Sequence, residues 1–287
     1  MKKLQAGSVA ELRVERKAEF GYFLSDGEQD FLLHTNEISG EITEGDTVKV
    51  FLYNDKEGRL TATMTIPKIQ IGEYDWVEVV DINPRLGVFV NIGIQKDILV
   101  SVDDLPAFKT VWPKVGDQLL ITLKLDYKGR LLGQLITEEV VEEIEKAASF
   151  DMDKQQISGR IYRALKVGSF MLSDEGYRCF IHESQRRKEP RLGELVTGRV
   201  IDVKEDGSLN VSLLPLKQES LGEDAETIYA YLERNGGKMP YTDKSEPGDI
   251  RLDFGMSKAA FKRALGRLMK EKKVEQKGNW THLLKGE

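Results

Sequence analysis

Aromatic rings and a histidine lie on both arms of a predicted hairpin near the start of the chain. Phe20 and Phe23 precede a glycine-centred turn, and Phe31 and His34 follow it, all within residues 19–37. A flat ring on a small sheet can stack on a nucleobase, and single-stranded nucleic acid offers such unstacked bases. For any one ring alone, a place in the core is the simpler interpretation. Together with the residues that follow in the same repeat, the rings favour a base-stacking surface.

The residue types required for catalysis or metal binding do not come together in this sequence. His34, His182 and His282 stand far apart, and no cysteine or second histidine has the spacing of a metal site. The Gly237-Lys238 pair is not part of a phosphate-binding loop, because Leu232 stands where that loop needs its first glycine. We therefore expect a protein that is not an enzyme and needs neither metal nor cofactor. A nuclease built from carboxylates on several loops is the alternative left open.

Three copies of one strand pattern position these rings. Gly21, Gly87 and Gly168 each begin a Gly-x-Phe segment, which is followed by a strand after a Gly-acid pair and by a last glycine turn. Each copy has five predicted strands in about 65 to 70 residues, the size of a five-stranded Greek-key barrel of the OB type. The sequence thus predicts a mostly β protein with tandem barrels at residues 1–66, 67–135 and 153–217.

Residues 136–152, between the second and third barrels, are predicted to form a linker helix. Apolar residues recur at helical spacing from Thr137 to Phe150, and Thr137 can cap the first turn. Glu138 and Glu139 suit the positive end of the helix dipole. We expect one apolar stripe packed on a neighbour and a solvated acidic face. The stripe is Ile136, Val140, Ile144 and Ala148, and the acidic face carries Glu142, Glu143 and Glu145.

Residues 222–287 are predicted to form a small α/β domain. Asp224 and Ser257 can cap the first and third of three helices, and the second begins near Pro247. A hairpin follows the third helix, and this combination is typical of the winged-helix form of the helix-turn-helix. The residues expected inside are Ala225, Ile228, Leu232, Ile250, Phe254, Phe261, Ala264, Leu265, Leu268 and Met269.

The charge of the chain is distributed unevenly. The formal net charge is −6, but residues 1–152 carry −10, whereas 153–217 carry +3 and 222–287 carry +2. Charges are screened within about 8 to 10 Å in physiological salt, so local charge decides where a phosphate can bind. Two basic clusters are candidates for phosphate contacts, with a solvated surface as the alternative for each. They are Arg186, Arg187, Lys188 and Arg191 in the third barrel, and Lys262, Arg263, Arg267 and Lys270 on the last helix with Lys277 in the hairpin turn.

Each five-stranded unit resembles the RNA-binding repeat of ribosomal protein S1. The first unit matches the pattern of that repeat at five positions: Phe20, Phe23, His34, Asp55 and Arg59. The resemblance implies an RNA face made by the two rings, the histidine and the Asp-Arg turn. For His34, an RNA contact and a residue satisfied within the sheet remain open as alternatives.

The other two units keep part of the S1 pattern. Phe89, Asp126 and Arg130 match in the second unit, and Phe170 and His182 match in the third. By the resemblance, these residues are candidates for RNA contacts. The positions that depart from the pattern are Leu86 and Ser101 in the second unit, and Val167, Lys204 and Ser208 in the third.

Three S1-like units followed by a winged helix resemble the conserved virulence factor B family of Gram-positive bacteria. The resemblance covers essentially the whole chain and implies a cytoplasmic RNA-binding regulator that affects virulence-gene expression. Single-stranded RNA is the expected partner and a monomer the expected state. The alternatives are a DNA-binding transcription regulator that acts through the winged helix, and a scaffold whose acidic barrels contact the ribosome or another protein.

The sequence also bears on the compartment. Cys179 is the one cysteine, which excludes an internal disulfide, and no apolar segment follows Met1-Lys2-Lys3-Leu4. The longest apolar runs, such as residues 98–100, are far shorter than the roughly 20 residues that span a bilayer. We therefore expect a cytoplasmic protein without membrane contact.

Overall fold

The computed structural model describes residues 4–215 and 217–284, with only the backbone for 217–221. Residues 1–3, on which the expectation for the start of the chain rests, lie outside the described residues, as do residue 216 and residues 285–287. The chain divides into two compact units, residues 1–213 and 214–287.

The first barrel is a closed sheet of five strands in which the fifth strand lies between the third and the fourth. Its core contains Leu12, Leu24, Phe31 and Leu33, and each such burial contributes about 1.5 to 3 kcal/mol. Phe31 therefore belongs to the core and not to the exposed set of rings. The strands are β1 Val9–Ala18, β2 Gly21–Ser25, β3 Asp30–His34, β4 Thr47–Asn54 and β5 Leu60–Thr63.

The second and third barrels repeat this order of strands and are also closed. Cys179 is fully buried in the core of the third barrel, and burial raises the pKa of its thiol to about 12. The second barrel consists of β6 Asp75–Asn83, β7 Gly87–Asn91, β8 Ile98–Ser101, β9 Gln118–Leu125 and β10 Leu131–Leu135. The third consists of β11 Gln156–Leu165, β12 Gly168–Ser173, β13 Arg178–His182, β14 Leu195–Val203 and β15 Leu209–Ser212.

The three barrels pack against one another within the first unit. Phe51 and Tyr53 of the first barrel share a buried cluster with residues of the second barrel, and Leu192 joins that cluster from the third. The backbone N–H of Leu192 donates to the Val111 carbonyl at 2.9 Å, and that of Gln118 donates to the Gly193 carbonyl at 3.2 Å. The second and third barrels are therefore joined by backbone hydrogen bonds as well as by apolar contact.

The linker helix is shorter than predicted and buries a different residue. Helix α1 spans Glu138–Ile144, its buried residue is Val141, and the Thr137 side chain makes no capping hydrogen bond. Ile144, expected inside, is exposed. The reason is that the chain turns to pair with the third barrel: the N–H of Lys146 donates to the Gly176 carbonyl at 2.8 Å. This hydrogen bond lies where the last turns of the helix were predicted.

The second unit has the predicted three helices and a hairpin, which confirms the fold class. Its last helix is capped by Ser257, whose Oγ accepts from the N–H of Ala260 at 3.2 Å. Helix α2 begins before Asp224, so Asp224 lies inside the helix and is not its cap. Met269, expected inside, is partly exposed. The elements are α2 Lys217–Arg234, β16 Lys238–Met239, α3 Pro247–Phe254, α4 Lys258–Lys270, β17 Val274–Lys277 and β18 Trp280–Leu283, with β16 an unpredicted third strand beside β18.

The glycine of each Gly-x-Phe segment is required by a close backbone approach. A Cβ at Gly21 would lie 2.0 Å from the Leu33 carbonyl oxygen, and a Cβ at Gly87 would lie 2.0 Å from that of Val100. Both glycines also have positive φ, +150° and +132°. Any side chain here would separate the second and third strands of its barrel.

We expect Gly87→Ala to lower the free energy of unfolding by more than about 2 kcal/mol, because the new methyl group would overlap the Val100 carbonyl. The matched control is Gly40→Ala, since Gly40 has φ +86° but open space around its Cβ position. It should cost about 1 kcal/mol of backbone strain. Urea denaturation followed by circular dichroism measures both; equal losses would contradict the carbonyl-contact argument.

Candidate nucleic-acid interface

One ring stands at the same place in all three barrels. Phe23, Phe89 and Phe170 lie two residues after the Gly-x-Phe glycine on the second strand of their barrels. Each pairs with one residue of the preceding strand and one of the following strand, so these neighbours decide what surrounds the ring. The neighbours are Arg16 and Leu32 in the first barrel, Asp81 and Leu99 in the second, and Arg163 and Phe180 in the third.

In the first barrel the predicted rings and histidine lie on the outer surface. Phe20 is 60 % exposed. Phe23 is covered in part by Arg16, whose guanidinium carbon lies 3.8 Å from the ring centroid. Arg16 also approaches Asp30 at 3.8 Å. A base that stacks on Phe23 therefore has to displace Arg16 or stack on the part of the ring that Arg16 leaves uncovered.

The Asp-Arg pairs of the first two barrels hold the turn between the last two strands. Asp55 accepts from the Arg59 backbone N–H at 2.9 Å and from its Nε at 2.8 Å. Asp126 and Arg130 repeat these contacts at 2.8 and 2.7 Å. The backbone N–H of Arg130 does most to lower the pKa of the Asp126 carboxyl, and the Arg130 side chain adds to this against the effect of burial. The aspartates are therefore turn residues, and the arginines are exposed but already paired.

The predicted histidines cap short turns. The Nδ1 atoms of His34 and His182 accept from the backbone N–H two residues on, at 3.3 and 3.2 Å. In the second barrel the Oγ of Ser101 does the same at 3.3 Å. Both histidine rings are exposed. The alternatives raised for His34 are therefore compatible, because Nδ1 caps the turn while the rest of the ring faces solvent.

The third barrel carries a continuous row of rings. Ring centroids are 6.1 Å apart for Tyr162 and Phe170, 5.0 Å for Phe170 and Phe180, and 6.2 Å for Phe180 and His182. We call these four residues the ring row. Tyr162 and Phe180 were not among the site residues predicted from the sequence. The signal was present, since Phe180 and His182 are two apart on one strand and so share a face.

Two small cavities flank Phe180 in this row. One, of about 200 Å³, is lined by Phe170, Phe180, Arg178, Lys204 and Ser208. The other, of about 280 Å³, is lined by residues that include Phe180, His182 and Asn210. Both cavities are open to solvent on a face where aromatic and polar groups alternate. Flat ligands can therefore reach either side of the ring.

The charges around the ring differ sharply among the barrels. In the third barrel Arg163, Arg178 and Lys204 surround Phe170 at positions that hold Asp81, Asp97 and Asp126 in the second barrel. At the equivalent positions the first barrel has one cation, Arg16, and two carboxylates, Asp30 and Asp55. These strand positions alone, before the carboxylates of helix α1 are counted, therefore favour phosphate at the third barrel and disfavour it at the second.

Helix α1 places carboxylates on the cations of the third barrel. The Arg178 guanidinium lies 3.4, 3.3 and 3.3 Å from carboxylate oxygens of Glu138, Glu142 and Glu145. Arg163 reaches Glu138 at 3.2 Å, and the Tyr162 hydroxyl donates to Glu138 at 3.1 Å. Burial raises the pKa of the Tyr162 hydroxyl, and Glu138 raises it further. Of the three acids predicted to be solvated, Glu142 and Glu145 are thus bound to the third barrel, whereas Glu143 is exposed.

The predicted basic loop of the third barrel is largely occupied by internal contacts. Arg186 has a 6 % exposed side chain and donates to Ser169 and to the Leu165 carbonyl. Arg191 donates from Nε and Nη2 to the two carboxylate oxygens of Asp117 in the second barrel, both at 3.0 Å. Arg187 and Lys188 are exposed. Hydrogen bonding to Asp117 raises the pKa of Arg191, so this arginine joins two barrels.

The winged-helix unit presents part of its predicted basic set. Lys262, Arg263 and Lys270 of α4 are exposed. Arg267 is held by Glu271, with its Nε 2.8 Å from the carboxylate. Lys277 lies beside Glu275 in the hairpin. Trp280, which was not predicted from the sequence as a site residue, is 42 % exposed, and the Lys238 amine lies 5.7 Å from its ring centroid.

Within residues 4–215 and 217–284, no group of three or more His, Cys, Asp and Glu side chains is arranged to hold a metal ion. A helix long and apolar enough to cross a membrane is likewise not found in the part of the chain that the structure describes.

Comparison with known protein families divides the chain into four matched segments. Residues 6–65 match a family model described as an S1 domain. Residues 74–134 match the first S1-like domain of CvfB, and residues 141–215 match the second domain of the virulence regulatory factor CvfB. Residues 226–283 match a CvfB-like winged-helix domain.

Individual relatives are similar over nearly the whole chain. The uncharacterized protein YitL of Bacillus subtilis is 50% identical over 97% of this chain and 94% of its own length. Conserved virulence factor B of Staphylococcus epidermidis RP62A is 39% identical over 98% of this chain and 95% of its own. A crystal structure of a Streptococcus pneumoniae multidomain protein with nucleic acid binding domains has 39% identity and a TM-score of 0.66, covering 97% of this chain and 98% of that one.

We expect His182→Ala to lower the free energy of unfolding by about 1 kcal/mol, because the turn after β13 loses its cap. His182→Ser should cost much less, since Ser101 caps the same turn in the second barrel. Thermal melts of the two variants beside the wild type test this. If both variants lose the same stability, the ring packs structurally and the capping role is wrong.

Proposed function

The chain belongs to the conserved virulence factor B family, and on that premise we propose that it is a non-catalytic protein that binds single-stranded RNA. The observation that carries the proposal is the ring row of the third barrel, with cations on either side of it. The cellular role that we propose is regulation of virulence-gene expression, by a monomer in the cytoplasm, with no cofactor.

The ring row supports base stacking as the main source of affinity. Phe170 and Phe180 lie 5.0 Å apart with partly exposed faces, and the cavities beside Phe180 are open. Stacking on an aromatic side chain is worth about 1 to 3 kcal/mol per base and tolerates any sequence. Bases inside a duplex are already stacked on each other, so unpaired strands are favoured.

Cations on two parts of the chain support phosphate contacts. Lys204 lines a cavity of the ring row, and Arg163 lies beside Phe170 with Glu138 as its partner. The winged helix adds exposed Lys262, Arg263 and Lys270. Weak sites tethered on one chain raise overall affinity through effective concentration. We propose that Arg186 and Arg191 stabilise the fold instead, because their side chains are mostly shielded from solvent and are paired with carboxylates.

The first barrel is proposed as a weaker site. Phe20, Phe23 and His34 share its outer face, but Arg16 already covers part of the Phe23 ring. The surrounding segment 1–66 is also net acidic. Stacking can offset long-range repulsion that salt screens, so a base contact remains compatible with this charge.

Duplex DNA binding through the winged helix is the second candidate. The observation that favours it is the exposed basic set on α4 beside the Trp280 hairpin, since such a helix can enter the major groove. Direct competition between single-stranded RNA and duplex DNA of equal length separates the two. Tighter binding of the duplex would mean that DNA and not RNA is the main ligand.

Phe180→Ala should weaken binding of an unstructured RNA of about 15 nucleotides by roughly fivefold or more, because one stacking ring is lost. The slope of affinity against salt should stay unchanged, since no phosphate contact is removed. Phe108→Ala, which removes a 73 % exposed ring from the second barrel, is the matched control and should bind as the wild type does. Fluorescence anisotropy across a salt series measures all three. Equal affinity of Phe180→Ala and wild type would remove the ring row from the RNA site.

Glu142→Gln should raise RNA affinity by about two- to threefold at low salt, because it removes a carboxylate that neutralises Arg178 next to the ring row. Glu143→Gln makes the same change of charge on the next residue of α1, which is not one of the carboxylates bound to Arg178. It should have a smaller effect. The same anisotropy assay compares the two variants. Equal gains in RNA affinity would mean that RNA binding responds only to long-range charge and not to the pairing with Arg178.

A further inference from the structure

The second barrel differs from its neighbours in what lies next to its ring. In the first barrel Arg16 stacks on Phe23 at 3.8 Å, and in the third barrel the Arg163 guanidinium carbon is 5.9 Å from the centroid of Phe170. The corresponding residue beside Phe89 is Asp81. Two barrels therefore supply an arginine to their own ring, and the second supplies a carboxylate.

A groove of about 520 Å³ opens over Phe89 between the first two barrels. The second barrel contributes Phe89, Asp81, Gln95, Lys96 and Asp97, and the first contributes Tyr53, Asp55 and Lys56. The groove therefore has an aromatic ring, carboxylates from two barrels and two lysines. The cavities beside Phe180 differ from it because no carboxylate among the described residues lines them.

The walls of this groove are fixed by hydrogen bonds between the barrels. The Lys96 amine donates to the Asn54 carbonyl at 2.5 Å and to that of Asp55 at 3.2 Å. The Gln95 amide donates to the Asn36 carbonyl at 2.8 Å. Burial lowers the pKa of Lys96. The lysine thus serves the joint between the barrels, and the groove is formed before any ligand arrives.

The carboxylates in the groove are not equally engaged. Asp55 is bound to Arg59, with 2.7 Å between the charged atoms. One oxygen of Asp81 accepts from its neighbouring Ile82 N–H at 2.8 Å, which leaves the second oxygen for another donor. Asp97 is exposed. A planar cation that stacks on Phe89 therefore has the second oxygen of Asp81 beside it and the exposed carboxylate of Asp97 in the same groove.

We propose that this groove binds an arginine side chain of a basic protein segment. A guanidinium group is planar, stacks on aromatic faces and donates in a fork that suits carboxylates, whereas an ammonium group offers only a point charge. The stacking of Arg16 on Phe23 is the same contact made within one barrel. Residues 1–135, which form the first two barrels, carry a net charge of −5, which attracts a basic segment from solution and repels phosphate.

The test uses the full-length protein and a peptide of about ten residues that alternates arginine and glycine. We expect saturable binding by calorimetry, and no binding of the same peptide with citrulline, which keeps the shape without the charge. Asp81→Asn combined with Asp97→Asn should weaken binding at least about tenfold, and Phe89→Ala about fivefold. Asparagine keeps an acceptor for the Ile82 N–H, so the fold should persist.

Two controls separate this groove from general charge and from RNA binding. Glu11→Gln combined with Glu41→Gln removes two exposed acids elsewhere and should change peptide binding less than about threefold. Phe180→Ala should leave peptide binding unchanged, and the Asp81/Asp97 double variant should leave RNA binding unchanged or stronger. The proposal is overturned if both double variants lose peptide binding equally, if the citrulline peptide binds equally well, or if the Asp81/Asp97 variant loses RNA binding.

Discussion

Each barrel depends on the close approach of a glycine to the carbonyl of the next strand. At Gly21 and Gly87 the Leu33 and Val100 oxygens occupy the place that a side chain would need. This approach brings the second and third strands together just before the ring, which then faces its neighbours at a set spacing. Backbone packing therefore decides where the ring stands, and the side chains around it are free to differ between barrels.

The sequence predicted the fold because the signals for it are local. Glycine turns, strand alternation and the Ser257 cap act over a few residues, and the barrels and winged helix contain them as expected. Helix α1 was predicted too long because its end is decided by tertiary contact. Lys146 leaves the helix to bond with Gly176, about thirty residues away in the chain, and helical periodicity carries no information about such a partner.

The candidate site was predicted less completely, for the same reason. The positions of Phe23, Phe89 and Phe170 follow from one repeated pattern. Whether Arg191 is free to bind phosphate does not follow from that pattern, because its partner Asp117 belongs to another barrel. The net charge of residues 153–217 suggests more free cations than the structure has, because some of these cations are paired with carboxylates outside that segment. Counting charge by segment cannot detect a pairing of this kind.

The turn after the third strand of each barrel accepts two kinds of cap. His34 and His182 use a ring nitrogen, whereas Ser101 uses a hydroxyl oxygen. Exchanging histidine for serine therefore adds or removes an exposed ring while the hydrogen bond that folds the turn stays in place. Such an exchange should therefore change the stability of the barrel little. A barrel duplicated in tandem can thus acquire a new ligand without first passing through a poorly folded ancestor.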